Sequence, residues 1–303
     1  MNSEQQSFHP NQYVRAKSIT EAVVLLADKG SKARIIAGGT DILVDRDPHI
    51  ETLIDLGDAG LNFIRSAGSA IQIGAATPIS SIEASPFLQR APYTLLVQAA
   101  AVLGTPQIRN MATIGGNICR PSPCADTAPA LLALDAVLNI SGPAGERSLK
   151  VCEFFKNVKR DALDPGEILT TITLPAYSPG TVGAFIKQQR VAAADLALLS
   201  AAVRINLDTN DHLRDARIAL GSAAPVPMRA TEAEKLLLES RLSPDLIEKA
   251  AAKASEEIKP IDDLRCSAAH RRTLCRVLVT RALQQALGEA EAVLRSRHGD
   301  HHE

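Results

Sequence analysis

The chain has 303 residues, of which 46% are hydrophobic and 22% charged, with a formal net charge of -1. This length favours two domains, and the composition supports packed cores and excludes a wholly disordered chain. The near-neutral charge and an aromatic content of 3% argue against nucleic-acid binding, which needs a basic face or stacking side chains. No apolar run approaches the ~20 residues that span a bilayer, and the polar start lacks a signal-peptide pattern, so we expect a cytoplasmic protein.

The first part of the chain has the pattern of a mixed α/β region. A helix is expected to follow Ser18, whose hydroxyl can cap it together with Glu21, and to end at Gly30. Short apolar or alternating runs predict strands at residues 33–37, 52–56, 70–74, 136–141 and 167–174. Helical spacing predicts helices at residues 92–104, 125–134 and 152–158, whereas residues 107–120 are expected to be irregular.

The pattern changes after residues 175–180, PAYSPG, which are rich in turn formers and form the best linker candidate. Strands are predicted beyond it at residues 183–190, 197–207 and 214–221. Helices are then predicted at residues 231–238, 243–258 and 268–294. The second of these helices has a strong start signal, because Ser243 can cap it and Pro244 suits its first turn.

Two glycine-containing segments carry the main chemical signal. Loop 1 is IAGGTD, residues 36–41, and loop 2 is ATIGGN, residues 112–117. Glycine lets a ligand lie directly on the backbone, and consecutive amides in such turns form an anion site suited to a pyrophosphate. One Gly-Gly doublet usually marks only a tight turn, but two matching doublets favour a binding role. Neither loop is a Rossmann motif or a P-loop, because G-x-G-x-x-G and a Lys-Ser/Thr pair after the glycines are absent.

Further motifs extend the signal of the two loops. Loop 2 continues as TIGGNICRPSPCAD to Asp126, and the segments GEIL, FIK, RIALG and PIDDLR follow at residues 166–169, 185–187, 217–221 and 260–265. In this order, over residues 8–290, the chain resembles the FAD-binding subunits of the molybdenum hydroxylase family. That family includes enzymes of the xanthine dehydrogenase, carbon monoxide dehydrogenase and 4-hydroxybenzoyl-CoA reductase types.

The resemblance implies an α+β fold with two domains. Residues 1–178 would form a two-subdomain FAD-binding domain of the PCMH, or vanillyl-alcohol-oxidase-like, type. Residues 183–292 would form a smaller domain of the CO-dehydrogenase-flavoprotein type, with a three-stranded antiparallel sheet and a helical bundle. Residues 293–303 would be a frayed tail.

The resemblance also implies where FAD would bind. Backbone amides of both loops would hold the pyrophosphate, Asp126 would lie near the adenosine ribose, and Lys187 would approach the pyrimidine end of the flavin, where a cation stabilises the reduced ring. Ile168 and Leu169 would press on the ring system. The implied cofactor-binding residues are Ile36, Ala37, Gly38, Gly39, Thr40, Asp41, Ile42, Thr113, Ile114, Gly115, Gly116, Asn117, Asp126, Ile168, Leu169 and Lys187.

Four of these residues, all outside the loops, also have simpler interpretations. Asp126 suits a helix N-terminus, where the helix dipole favours an acid. Ile168 and Leu169 suit the core of a strand, and Lys187 suits the solvated face of one.

The cysteines do not predict a metal centre on this chain. Cys119, Cys124 and Cys152 fall in the expected flavin domain, whereas an iron–sulfur cluster needs four thiolates. We therefore expect free thiols here and [2Fe–2S] clusters on a partner. The His301–His302 pair lies near the end of the chain, where no predicted structure would hold the two side chains in place as metal ligands, and we interpret it as incidental.

The function implied by the resemblance is electron transfer in a heteromeric complex. A large subunit would carry the molybdenum cofactor, a small subunit the [2Fe–2S] clusters, and this chain the FAD, with NAD+ or another compound as acceptor. No catalytic residue is expected on this chain. The AGGTD form of loop 1 slightly favours an aromatic or N-heterocyclic substrate over CO. A stand-alone FAD oxidoreductase of the same fold and a non-enzymatic scaffold remain as alternatives.

Overall fold

The protein is described from a computed structural model that covers residues 8–191, 194–208, 210, 212–238 and 240–299, with residues 294–299 described by their backbone alone. The His301–His302 pair lies outside these residues. The described chain forms three sheets, two in the N-terminal part and one in the C-terminal part.

The first sheet is parallel and has three strands, β1 (Gln12–Arg15), β2 (Ala33–Ile36) and β3 (Thr52–Asp55), with β3 in the centre. Helix α1 (Ile19–Lys29) connects β1 to β2. The Ser18 hydroxyl accepts from the Glu21 amide at 3.1 Å, and Gly30 ends the helix with a positive φ, as the sequence predicts. A short 3-10 helix, Gly30–Lys32, follows, and α2 (Ile42–Asp45) comes directly after loop 1.

The second sheet is antiparallel and has five strands, β4 (Ile64–Ala67), β5 (Ala70–Gly74), β6 (Val137–Gly142), β7 (Gly145–Lys150) and β8 (Ile168–Leu174). Their order is β4-β5-β8-β6-β7, so β8 lies in the centre. The helices of this region are α3 (Ile79–Ala84), α4 (Thr94–Ala101), α5 (Pro106–Met111), α6 (Ile114–Ile118), α7 (Thr127–Ala133) and α8 (Val151–Phe154), together with the 3-10 helix Pro86–Leu88.

The segment predicted to be irregular, residues 107–120, contains α6 and most of α5. Each helix has a threonine cap: the Thr105 hydroxyl accepts from the Ile108 amide at 3.3 Å and the Thr113 hydroxyl from the Gly116 amide at 3.1 Å. The prediction was wrong because these helices span only one or two turns, too few to produce an apolar periodicity.

The third sheet is antiparallel and has the order β12-β11-β10-β9. Its strands are β9 (Thr181–Gln188), β10 (Leu199–Leu207), β11 (Leu213–Gly221) and β12 (Met228–Arg229). The prediction of three strands missed β12, because two residues leave no alternating pattern. Helices α9 (Thr231–Leu237), α10 (Pro244–Glu257) and α11 (Ala268–Gly299) complete the domain. The backbone of α11 is helical to Gly299, beyond residue 293, where a frayed tail was expected. Ala290, just before that point, is buried in the core.

The third sheet is buried on both faces. Phe185, Ala202 and Ala219 point into the core of the N-terminal part, whereas alternate residues such as Val203 and Ile218 pack with α9, α10 and α11. This layering fixes β9 against α4 and β10 and β11 against α7.

A cluster of charges joins the two domains at the end of α7. Asp135 accepts from three arginines of the third sheet, Arg204 at 2.7 Å, Arg217 at 2.9 Å and Arg229 at 3.0 Å. Arg204 is 4% exposed and also donates to the Ala133 carbonyl at the C-terminal end of α7. The orientation of β9 towards the N-terminal domain is therefore held by packing and by ion pairs.

Candidate functional site

The two glycine loops lie against each other, although their nearest glycines, Gly39 and Gly115, are 76 positions apart in the printed sequence. A Cβ built on Gly38 would lie 1.8 Å from the carbonyl oxygen of Met111 and 3.0 Å from the Cα of Ala112, the first residue of loop 2. Only a residue without a side chain allows this approach. The structure thus brings together the two segments that the sequence predicts to share one ligand.

Loop 1 presents a run of unpaired amides. Among the described residues, no acceptor is hydrogen-bonded to the backbone N–H groups of residues 38–41. Gly39 has a φ of +70°, in the left-handed region that favours glycine. Successive N–H groups in such a turn form a concave site for an anion. This part of the prediction fits a pyrophosphate.

Loop 2 uses its amides differently from what the resemblance implies. The Gly115 amide donates to the Ala75 carbonyl at 2.8 Å, and the Ile114 amide to the Thr77 carbonyl at 3.1 Å. The amides of Gly116 and Asn117 donate to the hydroxyl and the carbonyl of Thr113. All four amides already have acceptors within the protein, so the expectation that they hold the pyrophosphate is not supported by this geometry.

What loop 2 offers to a ligand is space and side chains. A Cβ on Gly116 would meet only the Thr113 hydroxyl, at 3.0 Å, so one face of this glycine is open. A Cβ on Gly115, in contrast, would lie 2.6 Å from the Ala75 carbonyl oxygen. The Asn117 side chain accepts from the Thr127 hydroxyl at 2.6 Å and so ties loop 2 to α7.

Ile168 and Leu169 lie at the start of β8 and belong to the protein core. Each is 3% exposed, and the two side chains pack in different core clusters, Ile168 beside the first sheet and Leu169 beside the second. The simpler interpretation as strand core describes both positions. The start of β8 is nevertheless linked to loop 2, since the Thr170 carbonyl accepts from the Ala75 amide and the Ala75 carbonyl accepts from Gly115.

Asp126 and Lys187 form a buried ion pair between the two domains. The Lys187 ammonium donates to the Asp126 carboxylate at 2.9 Å and to the Val102 carbonyl at 3.1 Å, and the two side chains are only 2% and 8% exposed. Lys187 is therefore not a solvated lysine. Asp126 immediately precedes α7, but its side chain makes no capping bond. Because its ammonium is already paired, Lys187 brings less net positive charge to a ligand than the resemblance implies.

The second oxygen of Asp126 has an unmet hydrogen-bonding capacity. Oδ1 is buried and has no partner among the described residues. Burial raises the pKa of Asp126 to about 6, although the neighbouring Lys187 acts to lower it. A buried acceptor without a donor is costly, and a ligand hydroxyl or N–H would satisfy it. This orphan oxygen, together with the free amides of loop 1, fits an extended ligand such as FAD.

Arg120 is a site residue that the sequence did not identify. Its guanidinium donates to the Asp41 carboxylate of loop 1 and, at 2.5 Å, to Asp45 in α2. It comes three residues after loop 2, so it links the two loops. The only signal in the sequence was an arginine close behind the second glycine doublet, which is weak by itself.

No metal site accompanies these residues in the described part of the chain, where no group of three or more potential metal-ligating side chains occurs. The five cysteines are free thiols, and burial raises the pKa of the Cys119 thiol far above its usual range. Among the described helices, none combines the length and the apolar character needed to cross a membrane.

The unpaired amides of loop 1 and the buried acceptor at Asp126 together fit the class of proteins that bind an extended, diphosphate-containing ligand. Comparisons with known proteins identify the family of the protein and its ligand. A family model described as "FAD binding domain in molybdopterin dehydrogenase" matches residues 6–177, and one described as "CO dehydrogenase flavoprotein C-terminal domain" matches residues 184–286. The chain belongs to the family of FAD-binding medium chains of molybdenum hydroxylases.

Full-length relatives and a solved structure agree with this assignment. The chain is 32% identical to the glyceraldehyde dehydrogenase medium chain of Sulfolobus acidocaldarius, over 90% of this chain and 97% of that one. It is 33% identical to the carbon monoxide dehydrogenase medium chain of Afipia carboxidovorans, over 92% and 97%. A carbon monoxide dehydrogenase structure from Hydrogenophaga pseudoflava superposes with a TM-score of 0.88 at 33% identity and covers 92% of this chain and 98% of that chain. The predicted family, the order of its two domains, the FAD cofactor and the class of oxidoreductase subunit are confirmed.

Proposed function

We propose that this chain is the electron-transfer subunit of a molybdenum hydroxylase complex. It would pass electrons between [2Fe–2S] clusters on a small subunit and NAD+ or another acceptor, while a large molybdopterin-binding subunit oxidises the substrate. FAD, when bound, supplies the chemistry by accepting and releasing electrons. The tasks of this chain are then to bind the cofactor, orient it and set the charge around it.

The observation that carries this proposal is the run of unpaired amides at residues 38–41, pressed against the segment that leads into loop 2. These N–H groups would hold the diphosphate, and the flanking backbone of Ile36, Ala37 and Ile42 would shape the hollow. On the other side, the open face of Gly116 and the Thr113 hydroxyl would border the ligand. The orphan oxygen of Asp126 would accept from a cofactor hydroxyl or N–H.

The names of the relatives support a heteromeric complex, since several are medium chains or subunits. For the substrate we propose an aromatic or N-heterocyclic compound. The support is the AGGTD sequence of loop 1 and relatives such as the 6-hydroxypseudooxynicotine dehydrogenase subunit, at 34% identity. The five free thiols further support a reducing compartment, which we propose to be the cytoplasm.

The test is to express the chain together with a large molybdopterin-binding chain and a small Cys-rich chain from its own genome. We expect one complex that releases FAD on denaturation and whose flavin is bleached anaerobically by an N-heterocycle and recoloured by NAD+. A yellow protein that stays alone and oxidises substrate without partners would instead be a stand-alone oxidoreductase. A colourless protein that does not take up added FAD would overturn the cofactor assignment.

A further inference from the structure

Arg120 ties the two glycine loops together through two carboxylates. One guanidinium nitrogen donates to Asp41, the last residue of loop 1, and the other terminal nitrogen to Asp45, one turn further on in α2. Arg120 itself lies just beyond α6, which carries the glycines of loop 2. The contact bridges 79 and 75 residues of chain. Of these three residues, only Asp41 belongs to the cofactor-binding set implied by the family resemblance.

The stability of the fold does not account for this arrangement. The side chains of Arg120, Asp41 and Asp45 are 31%, 50% and 41% exposed. Ion pairs with this much solvent contact typically contribute only about 0–1 kcal/mol to folding, because water screens the charges. The loops are in any case already pressed together at Gly38 and Met111. The position of Arg120 therefore points to a role that arises when a ligand is present.

That role follows from the charges around loop 1. The unpaired amides of residues 38–41 suit an anion, yet Asp41 belongs to the same run and Asp45 lies one turn away. A diphosphate placed on these amides would be repelled by the two carboxylates unless a cation offset their charge. The guanidinium of Arg120 is hydrogen-bonded to both carboxylates, and its planar shape allows it to contact the two at once.

We propose that Arg120 is a positioning residue for the cofactor diphosphate, which partly offsets the negative charge of Asp41 and Asp45 and holds loop 1 at its spacing from loop 2. Arg120 acts through the two aspartates and needs no contact with the ligand. The proposal rests on the function proposed above, because it assigns the anion at loop 1 to the diphosphate of FAD.

The experiment compares four forms of the full-length chain, freed of flavin, by fluorescence titration with FAD at low ionic strength. The forms are wild type, Arg120→Gln, the double variant D41N/D45N, and the triple variant R120Q/D41N/D45N. We expect Arg120→Gln to weaken FAD binding roughly tenfold or more. The triple variant should bind within about threefold of wild type, because the repulsion that Arg120 offsets is then gone.

Two controls separate charge balance from loss of structure. Arg34→Gln removes one positive charge from the neighbouring strand β2, at an exposed position paired only loosely with Asp47 at 3.9 Å, and should leave FAD binding unchanged. Arg120→Lys keeps the charge but cannot bridge two carboxylates in the same way, so its affinity should lie between wild type and Arg120→Gln. Thermal unfolding of the flavin-free variants checks that each of them folds.

Two results would overturn the proposal while leaving FAD binding intact. One is a wild-type affinity in Arg120→Gln. The other is a triple variant that binds as poorly as Arg120→Gln, because charge balance would then not be the reason. If Arg120→Gln does not fold, the Arg120→Lys variant and its D41N/D45N combination decide the question in the same way. A wild-type chain that fails to bind FAD at all would overturn the function proposed above and this inference together.

Discussion

Loop 1 and loop 2 each contain a Gly-Gly doublet, and in both loops the two glycines are required for different reasons. The first glycine of each doublet packs closely against the backbone of a residue outside its own loop, Gly38 against Met111 and Gly115 against Ala75. The second glycine is the one that faces free space or needs an unusual conformation: Gly116 is open on one side and Gly39 has a φ of +70°. By these criteria the two segments are equivalent.

The loops differ in what their amides do. Those of residues 38–41 in loop 1 have no acceptor among the described residues, whereas those of residues 114–117 in loop 2 are all hydrogen-bonded within the protein. We therefore propose that loop 1 binds the ligand through its backbone, whereas loop 2 borders the ligand with its side chains. A glycine motif in a sequence indicates that another group approaches the backbone closely, but it does not indicate whether that group belongs to a ligand or to the protein itself.

The largest expected effect tests the difference between the closely packed glycines and the open one, by adding one methyl group to each. Gly38→Ala and Gly115→Ala would place a Cβ 1.8 Å and 2.6 Å from a backbone oxygen. We expect each to lower the free energy of unfolding of the flavin-free protein by about 3 kcal/mol, the upper end of typical overpacking costs. Gly116→Ala should change it by less than about 1 kcal/mol, because the added methyl meets only the Thr113 hydroxyl. Urea unfolding followed by circular dichroism measures all three.

The larger variant Gly116→Val sharpens the same point. It should leave a folded protein with FAD affinity lowered by at least about a hundredfold, because the branched side chain fills the open face that borders the ligand. Equal losses of stability in the Gly116 and Gly115 variants would contradict the assigned roles, and so would full flavin occupancy in Gly116→Val.

A second prediction concerns the buried pair on the far side of loop 2. Lys187→Met would leave the Asp126 carboxylate buried without its cation. We expect a loss of about 2 kcal/mol at pH 8, less than the usual cost of breaking a buried pair because Asp126 can take up a proton. Its pKa in the folded variant would be raised further above the unfolded value, so stability should be lost as pH rises and the deficit should be smaller at pH 5. Urea titrations at the two pH values measure this.

The matched control for that variant is the double change K187M/D126N. It removes both charges at once and should recover most of the lost stability at pH 8. A deficit of equal size at pH 5 and pH 8, or no recovery in the double variant, would show that Lys187 acts through packing and not through its charge on Asp126.

The parts of this molecule that the sequence predicted are those with local causes. Helix α1 has its cap at Ser18 and its end at Gly30 within a dozen residues, so both signals were visible. Strands β1, β4, β7 and β12 were missed. Three of them, β1, β4 and β12, have only two to four residues and so carry no periodicity, and β7 has the largely polar sequence GERSLK.

The two loops of the site could be predicted from the sequence, but the hydrogen bonds and ion pairs between distant residues could not. The glycine doublets are local, whereas Thr77 and Ala75, which accept from the Ile114 and Gly115 amides of loop 2, lie near the end of a strand some forty residues earlier in the printed sequence. Arg120 and its two aspartates are brought together only by the fold. Asp126 and Lys187 were both named through the family resemblance, but their pairing, and with it the changed electrostatic role of Lys187, became visible only in three dimensions.

The smallest expected effect is a pH dependence of FAD affinity, which distinguishes the contribution of loop 1 from that of Asp126. Backbone amides do not titrate in the physiological range, so the contribution of loop 1 to FAD affinity should be constant. Burial raises the pKa of Asp126 to about 6, and a ligand that donates to its free oxygen would favour the ionised form and lower that pKa. FAD affinity should therefore be constant above about pH 7 and fall by up to about tenfold as pH drops to 5. In Asp126→Asn the affinity should be the same at both pH values. A wild-type affinity that does not change between pH 7 and 5, or a fall that persists in Asp126→Asn, would place the ligand away from this carboxylate and leave binding to loop 1 alone.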